Sequence, residues 1–216
     1  MVCELFSTDD GDELLPGACR VCGHIGLIPV LSLGKTPLAN ALLRETELAG
    51  GEPTWPLDLA RCPTCALVQI TETVPPDVLF REYAYFSSFS DTMVAHAKAI
   101  ADRVRTEKRL GAKSLAVEVA SNDGYLLQWY HQAGVPVLGI EPARNIAQVA
   151  ESKRGVKTIS EFFGQGLAHD LVKQGFRADV IHANNVLAHV ADVNGFVAGL
   201  SLLLKSEGVA VVECHT

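Results

Sequence analysis

The chain has 216 residues, of which 48% are hydrophobic and 20% charged, and its formal net charge at pH 7 is −7. The negative charge, without a cluster of Lys and Arg, excludes a nucleic-acid surface, because phosphates are bound by grouped cations. No apolar run reaches the ~20 residues that span a bilayer. Residues 1–14 are acidic, unlike a secretory signal, and are predicted to be a disordered N-terminus. We therefore expect a cytoplasmic protein without a nucleic-acid or membrane partner.

Four of the six cysteines form two C-x-x-C pairs, which are separated by 39 residues. They are Cys19, Cys22, Cys62 and Cys65. Two such turns supply four sulfur ligands, and Zn²⁺ prefers a tetrahedron of such ligands at about 2.3 Å. Two disulfides or four free thiols are the alternatives, and paired cysteines in a cytosolic chain favour the metal. We predict a structural zinc-binding domain over residues 15–72, with Gly23 easing the first turn.

Residues 73–112 are predicted to be a linker and a helical bridge. Prolines near its beginning indicate a linker, and apolar residues at helical spacing predict a surface helix toward its end. Between them, residues 83–90 read YAYFSSFS, a segment dense in aromatic rings and hydroxyl groups. Tyr83 and Tyr85 either pack between domains or contribute to an active site, and the pattern alone favours packing.

From residue 113 onward, short apolar runs alternate with helical patterns. Strands are predicted over residues 115–119, 135–140, 157–159, 179–183 and 209–213. Helices are predicted from near Gly124 and over residues 145–153, 167–173 and 193–204. This alternation predicts a Rossmann-like α/β domain over residues 113–216, in which ligands bind at the carboxyl ends of parallel strands.

The turn after the first of these strands is predicted to bind a cofactor. Its candidate residues are Glu118, Ala120, Ser121, Asn122, Asp123 and Gly124. The turn lacks the G-x-G-x-x-G fingerprint of dinucleotide sites, and its carboxylates would repel a pyrophosphate. A sulfonium and an ammonium group would instead be stabilised by Glu118 and Asp123, which favours S-adenosylmethionine over NAD.

Further candidates follow the next three strands. Glu141 is placed to accept the ribose hydroxyls of a nucleoside, a device that NAD sites also use. Glu161 is a candidate contact to adenine, whereas Phe162 and Phe163 beside it are at least equally well explained as core. Three more side chains after the fourth strand are expected to face the crevice: Asn184, Asn185 and His189. A single histidine is more commonly a packing residue, so both readings of His189 stay open.

Seven stretches of the chain resemble the sugar C-methyltransferases that act on nucleotide-linked 4-keto deoxysugars. They are CRVCG, LGKTPLANALL, PLDLARCPTCALVQ, YAYFSSFS, VEVASNDGYLLQ, GIEPA and ANNVLAHV. The resemblance implies a zinc-binding domain, an S-adenosylmethionine-binding domain, and methylation of C-3 of a thymidine-diphosphate-linked 4-keto-2,6-dideoxyhexose through an enolate. It also implies that His189 and one tyrosine, Tyr83 or Tyr85, lie at the sugar.

The chain departs from that family at its end. The family carries a further Tyr-His-Glu-His motif, which supplies its catalytic base, and two more strands beyond the fifth. We therefore expect an N-terminal portion that binds its cofactor but is weak in catalysis. At full length it is expected to be a monomer, whereas an unpaired fifth strand would permit association. The alternatives are a non-catalytic zinc- and nucleoside-binding module completed by a partner chain, and an NAD-dependent enzyme, which the missing fingerprint disfavours.

Overall fold

The computed structural model describes residues 4–5, 15–81 and 83–214. The chain divides into two compact units, Met1–Leu79 and Phe80–Thr216. Most of the predicted disordered N-terminus lies outside the described residues, so that prediction stays open. Within the described ranges, no helix combines the length and apolar character that crossing a bilayer requires.

The first unit is built on an antiparallel sheet. Its strands are β1 Glu4–Leu5, β2 Leu15–Ala18, β3 Ile25–Thr36, β4 Trp55–Arg61 and β5 Val68–Ile70. Their order is β1-β3-β4-β5, with β2 paired to β3. Among the residues whose burial is described, the buried core of this sheet consists of four side chains: Cys19, Leu27, Ala60 and Cys62. So small an apolar core contributes little stability, and half of it is cysteine.

The second unit contains a five-stranded parallel sheet, as predicted. Its strands are β6 Ala116–Val119, β7 Val137–Ile140, β8 Thr158–Ile159, β9 Ala178–Asn184 and β10 Leu204–Glu213. Their order is β10-β9-β6-β7-β8, and every pair is parallel. The chain runs outward from β6 through β7 to β8, then crosses back to β9 on the other side of β6. The loops that follow β6 and β9 are therefore neighbours at the point where the strand order reverses.

Helices cover the two faces of this sheet. The helices of the chain are α1 Pro76–Phe80, α2 Asp91–Glu107, α3 Leu127–Gln132, α4 Arg144–Arg154, α5 Gln165–Lys173 and α6 Val193–Leu203. Short 3-10 turns occupy Glu45–Glu47, Ser87–Phe89 and Leu187–His189. One buried cluster joins α2, α3 and α4 to the sheet, and a second joins α5 and α6 to it. These two cores confirm the doubly wound α/β fold.

The helix that was expected from near Gly124 begins three residues later, at Leu127. Residues Ala120, Asn122 and Gly124 all have left-handed backbone conformations, with φ of 54°, 47° and 77°. Right-handed helix cannot pass through such residues, so they form a tight turn instead. At Gly124 an added Cβ would also lie 3.2 Å from the Val156 side chain, which explains why a glycine stands there.

Candidate metal centre and cofactor crevice

Each C-x-x-C pair lies in a turn between two strands of the first unit, and the two turns share one hydrogen-bond pattern. In the first, Cys19 N–H donates to the His24 carbonyl (2.8 Å) and Gly23 N–H to the Cys19 carbonyl (2.9 Å). The Cys62 turn repeats both bonds at 2.8 and 3.0 Å. The residue after each pair, Gly23 or Ala66, has a left-handed φ of 74° or 62°. We call these two turns the knuckles.

The four cysteine sulfurs converge, since all lie within 4.8 Å of one another. Cys19 Sγ is 3.5 Å from Cys65 Sγ, and Cys22 Sγ is 3.6 Å from Cys62 Sγ. Four thiolates around one Zn²⁺ at about 2.3 Å would be about 3.8 Å apart in a tetrahedron. A disulfide would require about 2.05 Å. The geometry therefore fits the zinc site and not the disulfide alternative, and a four-sulfur site leaves no open position for a substrate.

Hydrogen bonds shift the pKa values of the clustered thiols in opposite directions. Hydrogen bonding to the Cys22 backbone lowers the pKa of Cys19 to about 6. Burial opposes ionisation of Cys62, but hydrogen bonds to the backbone of Cys65 and Thr64 outweigh it and lower that pKa. Although hydrogen bonding to the His24 backbone lowers the pKa of Cys22, burial and the neighbouring sulfurs raise it to about 12. A divalent cation is what allows all four sulfurs to be thiolates at neutral pH.

In β6, in β9 and in the loops that follow them, several buried side-chain oxygen atoms have no hydrogen-bond partner among the described residues. They belong to the side chains of Glu118, Ser121, Asp123, Asn184 and Asn185. Leaving buried acceptors without donors is costly, so such a group indicates a ligand that brings donors. S-adenosylmethionine brings an ammonium group and two ribose hydroxyls, together with the positive sulfonium. The residues at the crevice therefore fit this cofactor.

Glu118 lies at the base of the crevice with its side chain fully buried. It is aligned with His182 across the β6–β9 pair. Burial, together with the nearby carboxylates of Glu141 and Asp123, raises the pKa of Glu118 well above its ordinary value. A cation bound against Glu118 would reverse this effect, because it favours the charged form.

Glu141 supports the turn as well as facing the crevice. Its two carboxylate oxygens accept from the backbone N–H of Asn122 and of Ala143, each at 2.9 Å. Burial raises the pKa of Glu141, and these two backbone hydrogen bonds oppose the rise. Each oxygen retains a further lone pair, so the predicted ribose contact stays compatible with this geometry.

Asp123 is neutralised within the protein, which the sequence did not indicate. Arg154 Nη1 lies 3.2 Å from Asp123 Oδ2 and donates to the Asp123 carbonyl at 2.8 Å. Ser88 Oγ donates to the same Oδ2 at 2.5 Å. The earlier argument that Asp123 and Glu118 both offer an unpaired charge to the cofactor is therefore corrected: the cationic partner of Asp123 is Arg154, at the end of α4.

Asn122 turns its amide toward the YAYFSSFS segment. Its Nδ2 donates to the Tyr85 carbonyl at 3.1 Å, and its Oδ1 accepts from Ser87 N–H at 2.8 Å. Both ends of the side chain are thus engaged by protein, and the backbone N–H of Asn122 is held by Glu141. The aromatic segment consequently lies against the loop that follows β6.

The remaining predicted site residues lie in the aromatic segment and in the loops that follow β8 and β9. The ring of Tyr85 is 45% exposed, and Tyr83 packs edge-on against Phe80 with ring centres 5.9 Å apart. His189 ends the 3-10 turn after β9 and is exposed, and its imidazole makes no hydrogen bond to any described residue. Glu161 is exposed in the loop after β8. Catalytic roles for these side chains stay predictions.

The two phenylalanines beside Glu161 have different environments. Phe163 packs edge-on against Phe196, with ring centres 5.5 Å apart, in the second core of the sheet. The core interpretation is therefore confirmed for Phe163. Phe162 lies under the Arg81 guanidinium, 4.9 Å from the ring centre.

A buried polar pair near Glu118 was missed from the sequence. The hydroxyl of Tyr130 lies 2.9 Å from Nε2 of His182, and both side chains are fully buried. Burial lowers the pKa of His182 to about 4, so the ring is neutral at pH 7. The available signal was a histidine inside an otherwise apolar strand, whose partner on α3 could not be read from local sequence.

Two known domain families match the chain. A zinc binding domain matches residues 19–80, and a methyltransferase domain matches residues 117–210. C-methyltransferase NovU of Streptomyces niveus is 37% identical over 195 residues, covering 90% of this chain and 46% of NovU. A ubiquinone biosynthesis O-methyltransferase of Bartonella quintana (strain Toulouse) is 30% identical over 97 residues, covering 45% of this chain and 39% of that protein. The chain thus spans less than half the length of both relatives.

Solved structures resemble part of the chain. Streptomyces venezuelae DesVI is 21% identical with a TM-score of 0.44, over 56% of this chain and 50% of DesVI. CalS10, an amino pentose methyltransferase from Micromonospora echinaspora solved with S-adenosylmethionine, is 20% identical with a TM-score of 0.48. That match covers 62% of this chain and 59% of CalS10.

Proposed function

Because this chain belongs to the S-adenosylmethionine-dependent methyltransferases with an N-terminal zinc-binding domain, we propose that its protein methylates a carbon of a nucleotide-linked 4-keto deoxysugar. The observation that carries the cofactor part is the group of buried, unpartnered acceptors between β6 and β9. The carbon acceptor is supported by the 37% identity to a C-methyltransferase over most of the chain. The sugar is supported by the sequence resemblance described above.

In this proposal the crevice holds the cofactor by charge and hydrogen bonding. Glu118 faces the cationic end, and Glu141 accepts the ribose hydroxyls. Asn184 and Asn185 offer buried amide oxygens to the amino-acid part. When bound, S-adenosylmethionine supplies an electrophilic methyl group. The protein contributes orientation and exclusion of water.

The sugar side of the proposal rests on Tyr83 or Tyr85 and on His189. A 4-keto group acidifies the hydrogen on C-3, so a base can remove it as a proton and leave an enolate. A tyrosine hydroxyl donates a hydrogen bond to the developing enolate oxygen, and an imidazole can donate or receive a proton near pH 7. The enolate carbon, made nucleophilic by loss of that proton, would form the new C–C bond while the sulfur–methyl bond breaks, so that S-adenosylhomocysteine leaves and the 4-keto group is restored.

Titration calorimetry tests the cofactor assignment. Wild-type protein is expected to bind S-adenosylmethionine, and Glu118→Gln, which keeps shape but removes charge, should weaken binding at least about tenfold. Glu207→Gln, at an exposed position, is the matched control and should bind normally. Binding of NAD without S-adenosylmethionine would overturn the assignment.

The acceptor atom needs a product analysis with the full-length protein. With S-adenosylmethionine labelled by ¹³C in its methyl group, the product methyl should show carbon–carbon coupling to C-3 of the sugar. A methyl attached to oxygen would contradict carbon methylation. A stable complex with a partner chain and no transfer would support the non-catalytic alternative instead.

A further inference from the structure

Asn145, on the first turn of α4, holds the backbone of the aromatic segment. Its Nδ2 donates to the Tyr83 carbonyl at 2.7 Å, and its Oδ1 accepts from Tyr83 N–H at 3.3 Å. One side chain therefore satisfies both backbone groups of a single residue, as the neighbouring strand of a sheet would.

Asn122 makes a parallel arrangement a few residues further along the segment. It donates to the Tyr85 carbonyl and accepts from Ser87 N–H at 3.1 and 2.8 Å. Residues 83–86 have no regular secondary structure, so these side chains supply hydrogen bonds that a helix or sheet would otherwise provide. We call Asn122 and Asn145 together the asparagine clamp.

The two halves of the clamp come from different parts of the crevice. Asn122 lies in the cofactor turn, with its own N–H held by Glu141. Asn145 follows the end of β7 by a few residues and begins the helix behind Glu141. The clamp therefore contacts only the backbone of the segment and does not touch the tyrosine side chains.

We propose that Asn145 is a positioning residue. By hydrogen-bonding the backbone N–H and carbonyl of Tyr83, it holds the segment against α4 and so fixes the direction of the Tyr83 and Tyr85 side chains. This role rests on the proposed function only in that the tyrosines are taken to serve the sugar. The clamp geometry itself is independent of any substrate. Asn145 does not touch the reacting atoms and acts through the segment.

The Asn145→Ala substitution distinguishes a positioning role from a general effect on the stability of the fold. Alanine has a higher helix propensity than asparagine, so α4 itself should persist. The substitution removes both bonds to Tyr83 and leaves its N–H and carbonyl without the clamp. Gln148→Ala, an exposed amide deleted one turn further along the same helix, is the matched control.

Fluorine NMR provides a readout that a general loss of structure would not reproduce. The chain has four tyrosines, so labelling with 3-fluorotyrosine gives four resonances, assigned by Tyr→Phe substitution. Tyr125 and Tyr130 are buried in the core and serve as internal references. Asn145→Ala should shift the Tyr83 and Tyr85 resonances toward the free amino acid and leave the two references in place. Gln148→Ala should change none of them.

Three outcomes overturn the proposal. Unchanged Tyr83 and Tyr85 resonances would show that Asn145 does not fix the segment, and movement of all four would show a structural role. In the full-length enzyme, Asn145→Ala should lower kcat at least about tenfold with little change in the KM for S-adenosylmethionine. An unchanged kcat would also overturn it. The tyrosine role within the proposed function would fail separately if Tyr83→Phe and Tyr85→Phe both left methyl transfer intact, and the proposed function itself would fail if the full-length wild type transferred no methyl group to the sugar.

Discussion

Glu118 is enclosed more completely than the other carboxylates of the crevice. Its neighbours are Glu141 and Asp123, which carry like charge, and the neutral ring of His182 on the adjacent strand. The pKa of the Tyr125 hydroxyl is also raised, by burial first and then by the negative charge of Glu118. The positive charge of Arg154 pairs with the carboxylate of Asp123 and not with that of Glu118. In the free protein this environment favours the protonated acid.

Cofactor binding should therefore release a proton from Glu118. A bound cation lowers the pKa of Glu118, so binding is linked to ionisation, and affinity should rise with pH up to the free-state pKa, by at most tenfold per unit. Calorimetry in two buffers of different ionisation enthalpy measures the proton released. Glu118→Gln should abolish the release and flatten the pH profile. Proton uptake by the wild type would contradict this assignment.

The two knuckles have matching backbone hydrogen bonds but carry different residues at the position that follows each C-x-x-C pair. Ala66 holds the left-handed conformation that Gly23 holds in the other knuckle. A side chain in this conformation costs roughly 1–2 kcal/mol, which glycine avoids at some cost in the entropy of the unfolded chain.

Ala66→Gly is accordingly expected to stabilise the first unit by about 0.5–1 kcal/mol, and Gly23→Ala to destabilise it. The measurement is the rate at which a chelator removes zinc, with the denaturation midpoint beside it. Ala39→Gly, at an exposed turn without positive φ, is the control and should not stabilise. Faster zinc loss from Ala66→Gly would refute the strain argument.

At the scale of the whole molecule, the two units differ in what stabilises them. The first has a core of four side chains, two of them cysteines, whereas the second has two extensive apolar clusters. Zinc coordination should therefore contribute much of the stability of the first unit and little of that of the second.

Removing zinc should unfold the first unit and spare the second. Hydrogen exchange with and without a chelator should show protection lost in β3 and β4 but kept in β6 and β9. Metal analysis should find about one zinc per chain, lost in Cys62→Ser and retained in Cys214→Ser, an exposed thiol outside the cluster. Simultaneous loss of protection in both units would contradict this division.

Elements governed by local periodicity were predictable, whereas contacts between distant side chains were not. The β–α alternation gave the parallel sheet and all five of its strands, and the C-x-x-C spacing gave the metal ligands. The delayed start of α3 arose from left-handed residues whose conformations are set by their neighbours. The Arg154–Asp123 pair and the Asn145 bonds join residues more than thirty positions apart, so no local pattern announces them.

The crossed arrangement of the knuckles has a consequence for the order of events during synthesis. Cys19 meets Cys65 and Cys22 meets Cys62, so neither knuckle alone can complete the site. Ribosomes add residues from the N-terminus, and the first knuckle must wait until more than forty further residues have emerged. Zinc can therefore be fully ligated only after the second knuckle has been synthesised and the pairing of β3 with β4 has brought the two knuckles together.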